Sequence, residues 1–262
     1  MGIRLSLLDC TCRRSSILDK FLKYQSLRIS GDYDGTLLLL SETSTEDLNQ
    51  KYGGERIVNI IADYDHVEGL KILFEKGVAL DSPTDNGWTA LHHASYKMTK
   101  FLLEHGVSPT LPNKYGDTPL HCLCSYDDVN DEVAETILLL LSHGADLTFK
   151  NNLGKTPGDF FLEKQKITLA HWALSAKTLD LFQYVIRCST ALNSIVYGAT
   201  LLIFAMRKKN FDAVRMILNE GADVNAPDEN GNTPLHWAII LRSTEMAKLF
   251  IECGANPYSC NR

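Results

Sequence analysis

Apolar residues recur along this chain in a fixed relation to short polar motifs. Pairs of apolar side chains stand at Leu73-Phe74, Leu102-Leu103, Leu140-Leu141, Val185-Ile186, Ile217-Leu218 and Phe250-Ile251. Each pair lies just before an ending such as Gly144-Ala145-Asp146-Leu147, Gly221-Ala222-Asp223-Val224-Asn225 or Gly254-Ala255-Asn256-Pro257. Openings of a second kind alternate with these endings. They are clearest at Gly231-Asn232-Thr233-Pro234-Leu235-His236-Trp237-Ala238, Gly116-Asp117-Thr118-Pro119-Leu120-His121 and Gly87-Trp88-Thr89-Ala90-Leu91-His92-His93-Ala94. The register is regular: Thr233 to Gly254 is 21 positions, and so is Thr200 to Gly221. The same offset of 21 recovers two less obvious units, Arg56 to Gly77 and Thr168 to Ser189.

Openings and endings have separate physical reasons. A Thr hydroxyl can cap the free backbone N–H groups of a helix start, and Pro at the first helical position loses no hydrogen bond. Glycine at 77, 106, 144, 221 and 254 suits a left-handed helix cap. The Asp/Asn-rich links beyond predict hairpin turns. Small residues at Ala94, Ala173, Ala205 and Ala238 allow close approach of neighbouring helices. A unit of this size cannot bury its own apolar face, so stability must come from stacking on neighbours.

The Thr-Pro-Leu-His openings and the glycine endings, held at one offset, resemble the ankyrin repeat. The resemblance covers about residues 53–259. It implies an all-α fold: an ankyrin-repeat solenoid of stacked helix pairs with short β-hairpin fingers. His92, His121, His171 and His236 fall at the signature His, which in this family ties adjacent units by hydrogen bonds. Trp172 and Trp237 fall at a packing position, and His93 has no assigned role.

The array is uneven. Thr89 to Gly106 is only 17 positions, about one helical turn short, and Thr118 to Gly144 is 26. The extra residues fall in Asp127–Glu132, where Asn130 or Asp131 is expected to cap the second helix. Gly154-Lys155-Thr156-Pro157 opens a unit that never finishes, because Thr168 opens the next. Residues 151–166 therefore read as a half-repeat or jog, or as a boundary between sub-stacks. Residues 53–150 form a first sub-stack, and residues 167–262 a second with a C-terminal cap. Residues 1–52 read as an N-terminal helical cap, with Ile17, Leu18, Phe21 and Leu22 on one face and Asp34-Gly35-Thr36-Leu37 as a decayed repeat start.

Composition removes several classes of function. Lys plus Arg total 26 against 32 Asp plus Glu, a formal charge of −6. A nucleic-acid binder needs a basic footprint, so no nucleic-acid partner is expected. Seven cysteines at irregular spacing fit reduced thiols in a cytoplasmic setting and offer no four-ligand zinc set. No apolar run is long enough to span a membrane, and Leu5-Ser6-Leu7-Leu8, ended by Asp9, is too short for a secretory core. Met1-Gly2-Ile3-Arg4-Leu5-Ser6 fits the myristoylation pattern, with Cys10 and Cys12 as further acylation sites ahead of Arg13 and Arg14. Membrane association is expected only if these are acylated.

His121, Cys122 and Cys124 invite a thiol or metal reading. No orienting carboxylate and no second ligand pair accompany them. No cofactor, no metal and no enzymatic activity are expected. The resemblance instead implies an adaptor or scaffold that recognises a protein partner through the concave ankyrin groove, working as a monomer. Carried over position by position, the family's variable surface residues include Asp85, Trp88, Tyr96, Tyr115, Asp117 and Tyr126. Trp and Tyr are favoured at binding hot spots, so these residues are the candidate patch. A more specific form is a secreted effector of an intracellular bacterium, acting on a protein in host cytoplasm. An enzyme centred on residues 1–52 or 120–132 is the contrasting class.

Overall fold

The structure is a computed structural model that describes residues 26, 33–127, 129–175, 179–188 and 192–261. Gly2, Cys10, Cys12 and the apolar face at 17–22 lie outside the described residues. The chain divides into two compact units, residues 1–122 and 123–262.

In the first unit, helix α1 (Tyr33–Glu42) is followed by the short α2 (Thr45–Leu48). Strands β1 (Lys51–Tyr52) and β2 (Glu55–Arg56) then form an antiparallel hairpin across Gly53 and Gly54, both at positive φ. Helices α3 (Ile57–Asp63) and α4 (Val67–Glu75) make an antiparallel pair, and α1 packs on α4. The next repeat lacks a full first helix. The turn lost from this unit is missing there, leaving a single 3-10 turn, Ala90–His92, before α5 (Tyr96–Glu104). Helix α6 (Pro119–Cys124) opens the repeat after that. The segment Asp34-Gly35-Thr36-Leu37 lies within α1, with Thr36 buried.

The second unit holds α7 (Asp131–Ser142), α8 (Pro157–Gln165), α9 (Leu169–Ser175) and α10 (Leu179–Cys188). Helices α11 (Leu201–Arg207), α12 (Phe211–Asn219), α13 (Pro234–Ile240) and α14 (Thr244–Glu252) complete it. Residues 151–166 hold a single helix, α8. Helix α7 packs on α10 and α8 packs on α9. Helix α8 also braces the long 125–130 loop: Lys164 Nζ reaches Asp127 at 2.9 Å, and Gln165 Nε2 donates to the Tyr126 carbonyl at 2.8 Å.

Local chemistry sets the helix limits. Thr233 Oγ1 accepts from the His236 N–H with Pro234 next to it, and Thr200 caps α11 in the same way. Asn130 Oδ1 accepts from the Val133 N–H at 3.0 Å and caps α7. At the other end, Gly77 has φ +72°, which lets its N–H reach Phe74 O and the Val78 N–H reach Leu73 O at 2.9 Å. Gly106, Gly144, Gly221 and Gly254 repeat this geometry.

Each unit has its own apolar core. Leu70, Leu73, Met98, Leu102, Leu120, Ile137, Leu140, Ile217 and Phe250 are almost fully buried, each contributing roughly 1.5–3 kcal/mol relative to exposure. The four small alanines at 94, 173, 205 and 238 are buried beside them. The second member of an apolar pair is less uniform: Phe74 and Ile251 are exposed. Trp172 and Trp237 are only half-buried. Trp172 lies 5.2 Å from the Phe161 ring. Trp237 donates from Nε1 to Asp228 Oδ2 at 2.9 Å, with the Arg207 guanidinium 4.4 Å above its ring.

Candidate functional site

The fingers of the first unit are built by the backbone. The Thr84 N–H donates to Trp88 O at 2.8 Å and the Gly87 N–H to Thr84 O at 3.0 Å. The next finger repeats this with Asn113, Gly116 and Asp117. Adjacent fingers are joined edge to edge: the Asp85 N–H donates to Gly54 O, and the Lys114 N–H to Asn86 O, each at 2.9 Å. Tip residues are thus held at fixed spacing, with Asp85, Asn86, Lys114 and Tyr115 exposed.

Behind each finger the signature His works as a clamp. His92 Nδ1 accepts from the Thr89 N–H at 3.0 Å, and its Nε2 reaches the Asp117 carbonyl of the next finger at 3.0 Å. With Nδ1 accepting, the proton sits on Nε2, which donates. Burial pushes the His92 pKa down to about 4, so the ring is neutral near pH 7. Burial lowers His171 to about 4 as well. His121 Nδ1 and His236 Nδ1 likewise accept from the Thr118 and Thr233 N–H groups at 3.2 and 3.0 Å. Among these contacts, the one from His92 to Asp117 O joins one repeat to the next.

The same physics disfavours thiol catalysis at 121–124. Burial, assisted by the charge of Asp117, pushes the Cys122 thiol up to about 12, the reverse of nucleophile activation. Cys124 is fully buried. Among the described residues no group of three or more His, Cys, Asp and Glu could hold a metal ion. Among them, too, no helix is long and apolar enough to cross a membrane.

The candidate binding residues are distributed as follows. Asp85 is exposed on a finger and pairs with Lys51 Nζ at 2.7 Å. Tyr115 is 53% exposed, with the Lys114 ammonium 5.3 Å from its ring centroid. Asp117 is half-buried at the base of the same finger. Trp88 is also half-buried, stacked on His93 at 4.7 Å with an interplanar angle of 28°. Tyr96 does not trail a first helix. With that helix cut to a 3-10 turn, it becomes the first residue of α5, following the Ser95 cap. Tyr126 is exposed and belongs to the second unit.

Sequence reasoning assigned no role to His93 and did not single out α3. Yet Trp88 and His93 face Glu55, Asn59 and Asp63 across a recess of about 370 Å³. Asn59 Nδ2 donates to the Trp88 carbonyl at 2.7 Å, and His93 Nδ1 lies 3.8 Å from Asp63 Oδ1. Asn59 stands three residues after the Arg56 opening, at the signature His position of its repeat. That substitution was the available signal.

Helix pairs, hydrogen-bonded hairpin fingers and Thr–His clamps define a class of stacked-repeat protein. The model for Ankyrin repeats (3 copies) matches residues 27–113, 60–151 and 162–260, and the chain belongs to the ankyrin-repeat family. Its relatives include a Rickettsia felis ankyrin repeat protein, 36% identical over 108 residues, 38% of this chain and 48% of that protein. Neurogenic locus notch homolog protein 1 of Xenopus laevis is 32% identical over 146 residues, 55% of this chain but 5% of the notch protein. The chain thus spans about half of the first relative and a small part of the second. Among solved structures, the ankyrin repeat domain of Bcl-3, described as a unique member of the IkappaB protein family, aligns with a TM-score of 0.43 at 21% identity. That alignment covers 80% of this chain and 91% of the other.

Proposed function

We propose that this chain is a binding module that recognises a protein partner through the finger surface of its first unit. The surface is centred on Trp88 and Tyr115, with Asp85 and Asp117 at its edge and Tyr96 beside it. The carrying observation is the preorganised aromatic tip: Trp88 is fixed by stacking on His93, while Tyr115 is exposed on the next finger. Rigid aromatic side chains lose little entropy on binding and bury much area. The family's architecture and the non-nucleophilic state of Cys122 support binding over catalysis.

Affinity capture with the full chain, followed by titration of the captured protein, tests this reading. Trp88→Ala with Tyr115→Ala should cost about 2 kcal/mol or more, roughly thirtyfold in affinity, with the thermal melt retained. Unchanged affinity in a folded double variant would remove the surface from consideration. The Rickettsia felis relative supports a second, more specific reading, a bacterial effector acting on a host protein. Its test is recovery of the chain from the host-cell fraction without bacterial cytosolic markers; confinement to the bacteria refutes it.

A further inference from the structure

Positive charge gathers at the helix turns of the last two repeats. Arg207, Lys208, Lys209 and Arg242 stand there, in a chain whose formal charge is −6. All four are exposed, and none pairs with a described carboxylate. Lys208 and Lys209 line an open recess of about 630 Å³. Of the two carboxylates that also line it, Asp212 and Glu245, the second is taken by Arg215 at 2.6 Å. Aromatic rings steady two of the cations without neutralising them: the Arg207 guanidinium lies 4.4 Å from the Trp237 ring centroid, and Lys208 Nζ lies 5.6 Å from that of Phe204. Ile239 and Ile240, 67% and 57% exposed, end α13 just before Arg242.

Two of these cations occupy a conformation that suits glycine. Lys209 has φ +56° and Arg242 has φ +55°, 33 positions further on. Their turns are alike: the Lys209 N–H donates to Met206 O and the Asn210 N–H to Ala205 O, as the Arg242 N–H does to Ile239 O and the Ser243 N–H to Ala238 O. A residue with a Cβ is strained at such a left-handed helix end, where glycine is free. A helix C-terminus does attract a cation. Yet α3 ends in the same kind of turn with Asp65 at φ +53°, so the turn itself requires no positive charge. Strained positions filled twice by a cation point to a use outside the fold.

We propose that this helix-turn edge docks an acidic segment of a protein partner, its carboxylates on Lys208, Lys209 and Arg242 and its apolar side chains against Ile239 and Ile240. Unpaired cations beside exposed isoleucines complement carboxylates interleaved with apolar residues. A peptide can enter the recess and a flat bilayer cannot, which favours a protein segment over an anionic membrane. The surface belongs to the second unit and needs nothing from the finger surface of the first.

The experiment is a fluorescence-anisotropy titration of the full chain into a fluorescein-labelled peptide of four Asp-Glu-Leu triplets. Saturable binding that weakens as salt is added is expected. The neutral Asn-Gln-Leu counterpart should bind at least about tenfold more weakly. Lys209→Gln/Arg242→Gln should weaken the acidic peptide about tenfold, the loss of two exposed ion pairs. Lys150→Gln/Lys166→Gln, the same loss of charge away from the recess, should change it by less than about twofold. Lys209→Gly/Arg242→Gly should lose the peptide equally while the melting temperature rises, because the backbone strain is relieved. Cations that serve only the helix ends would give a lowered melt and unchanged peptide binding. No saturable binding, equal binding of the neutral peptide, equal weakening by Lys150→Gln/Lys166→Gln, or a lowered melt in the Gly pair overturns the proposal. Sedimentation with phosphatidylserine vesicles is the remaining arm. Uptake by vesicles that Lys209→Gln/Arg242→Gln abolishes, without peptide binding, assigns the edge to a membrane and overturns the protein partner.

Discussion

Replacing Gly87 with alanine should loosen the finger surface by a predictable amount. Two costs combine there. Gly87 has φ +81°, a conformation that costs an L-residue roughly 1–2 kcal/mol. A Cβ at this position would also lie 2.9 Å from Asn113 Cα and 3.0 Å from Lys114 N. Those atoms belong to the backbone of the next finger and cannot rotate away, so overpacking adds about 1–3 kcal/mol. Gly106→Ala is the control. It shares the conformation at φ +80°, but its Cβ would meet nothing within 4 Å, leaving only the conformational cost. Native-state hydrogen exchange of the Lys114 amide, which donates to Asn86 O, reads the contact directly. Gly87→Ala should lower protection of that amide roughly ten- to a hundredfold beyond Gly106→Ala, since about 1.4 kcal/mol is a factor of ten. Equal effects from the two substitutions would refute the claim that neighbouring fingers close against each other at Gly87.

Stability should fall on mild acidification. His92 and His171 take a proton only near pH 4 when folded, because burial lowers both, whereas the unfolded chain takes it near 6.5. Between these values the unfolded chain binds more protons, so the contribution is full above about pH 6.5 and is lost as pH falls toward 4, about 3 kcal/mol per histidine. Urea midpoints measured from pH 7.5 to 4.5 should decline steadily; a flat profile counts against the neutral clamp. Thiol accessibility gives an independent check. Iodoacetamide should modify the exposed Cys253 and Cys260 in the native protein, and Cys122 and Cys124 only after unfolding. Native alkylation of Cys122 at the rate of Cys260 would contradict its raised thiol pKa.

Periodic features were legible in the sequence because each depends on a few neighbouring residues. A Thr-Pro start, a Thr–His contact within one turn and a left-handed glycine cap are satisfied locally. Thr233, His236 and Gly254 accordingly behave as their spacing predicts. Family membership followed from the repetition of these local solutions at one offset. The 17-position interval also signalled a shortened repeat, but it did not say which helix lost the turn. Structure assigns the loss to the first helix, since Ala90–His92 alone remains and Tyr96 moves to the start of the second.

Features that join separate repeats needed the folded arrangement. Glu55, Asn59, Asp63, Trp88 and His93 belong to two successive repeats, and no spacing rule links them. They meet because the finger carrying Trp88 stacks beside α3, which Asn59 fixes by donating to the Trp88 carbonyl. What every repeat does alike could be read from residue order, because capping and turn formation are short-range. Which side chains of neighbouring repeats meet could not, because stacking brings together residues that no local rule links.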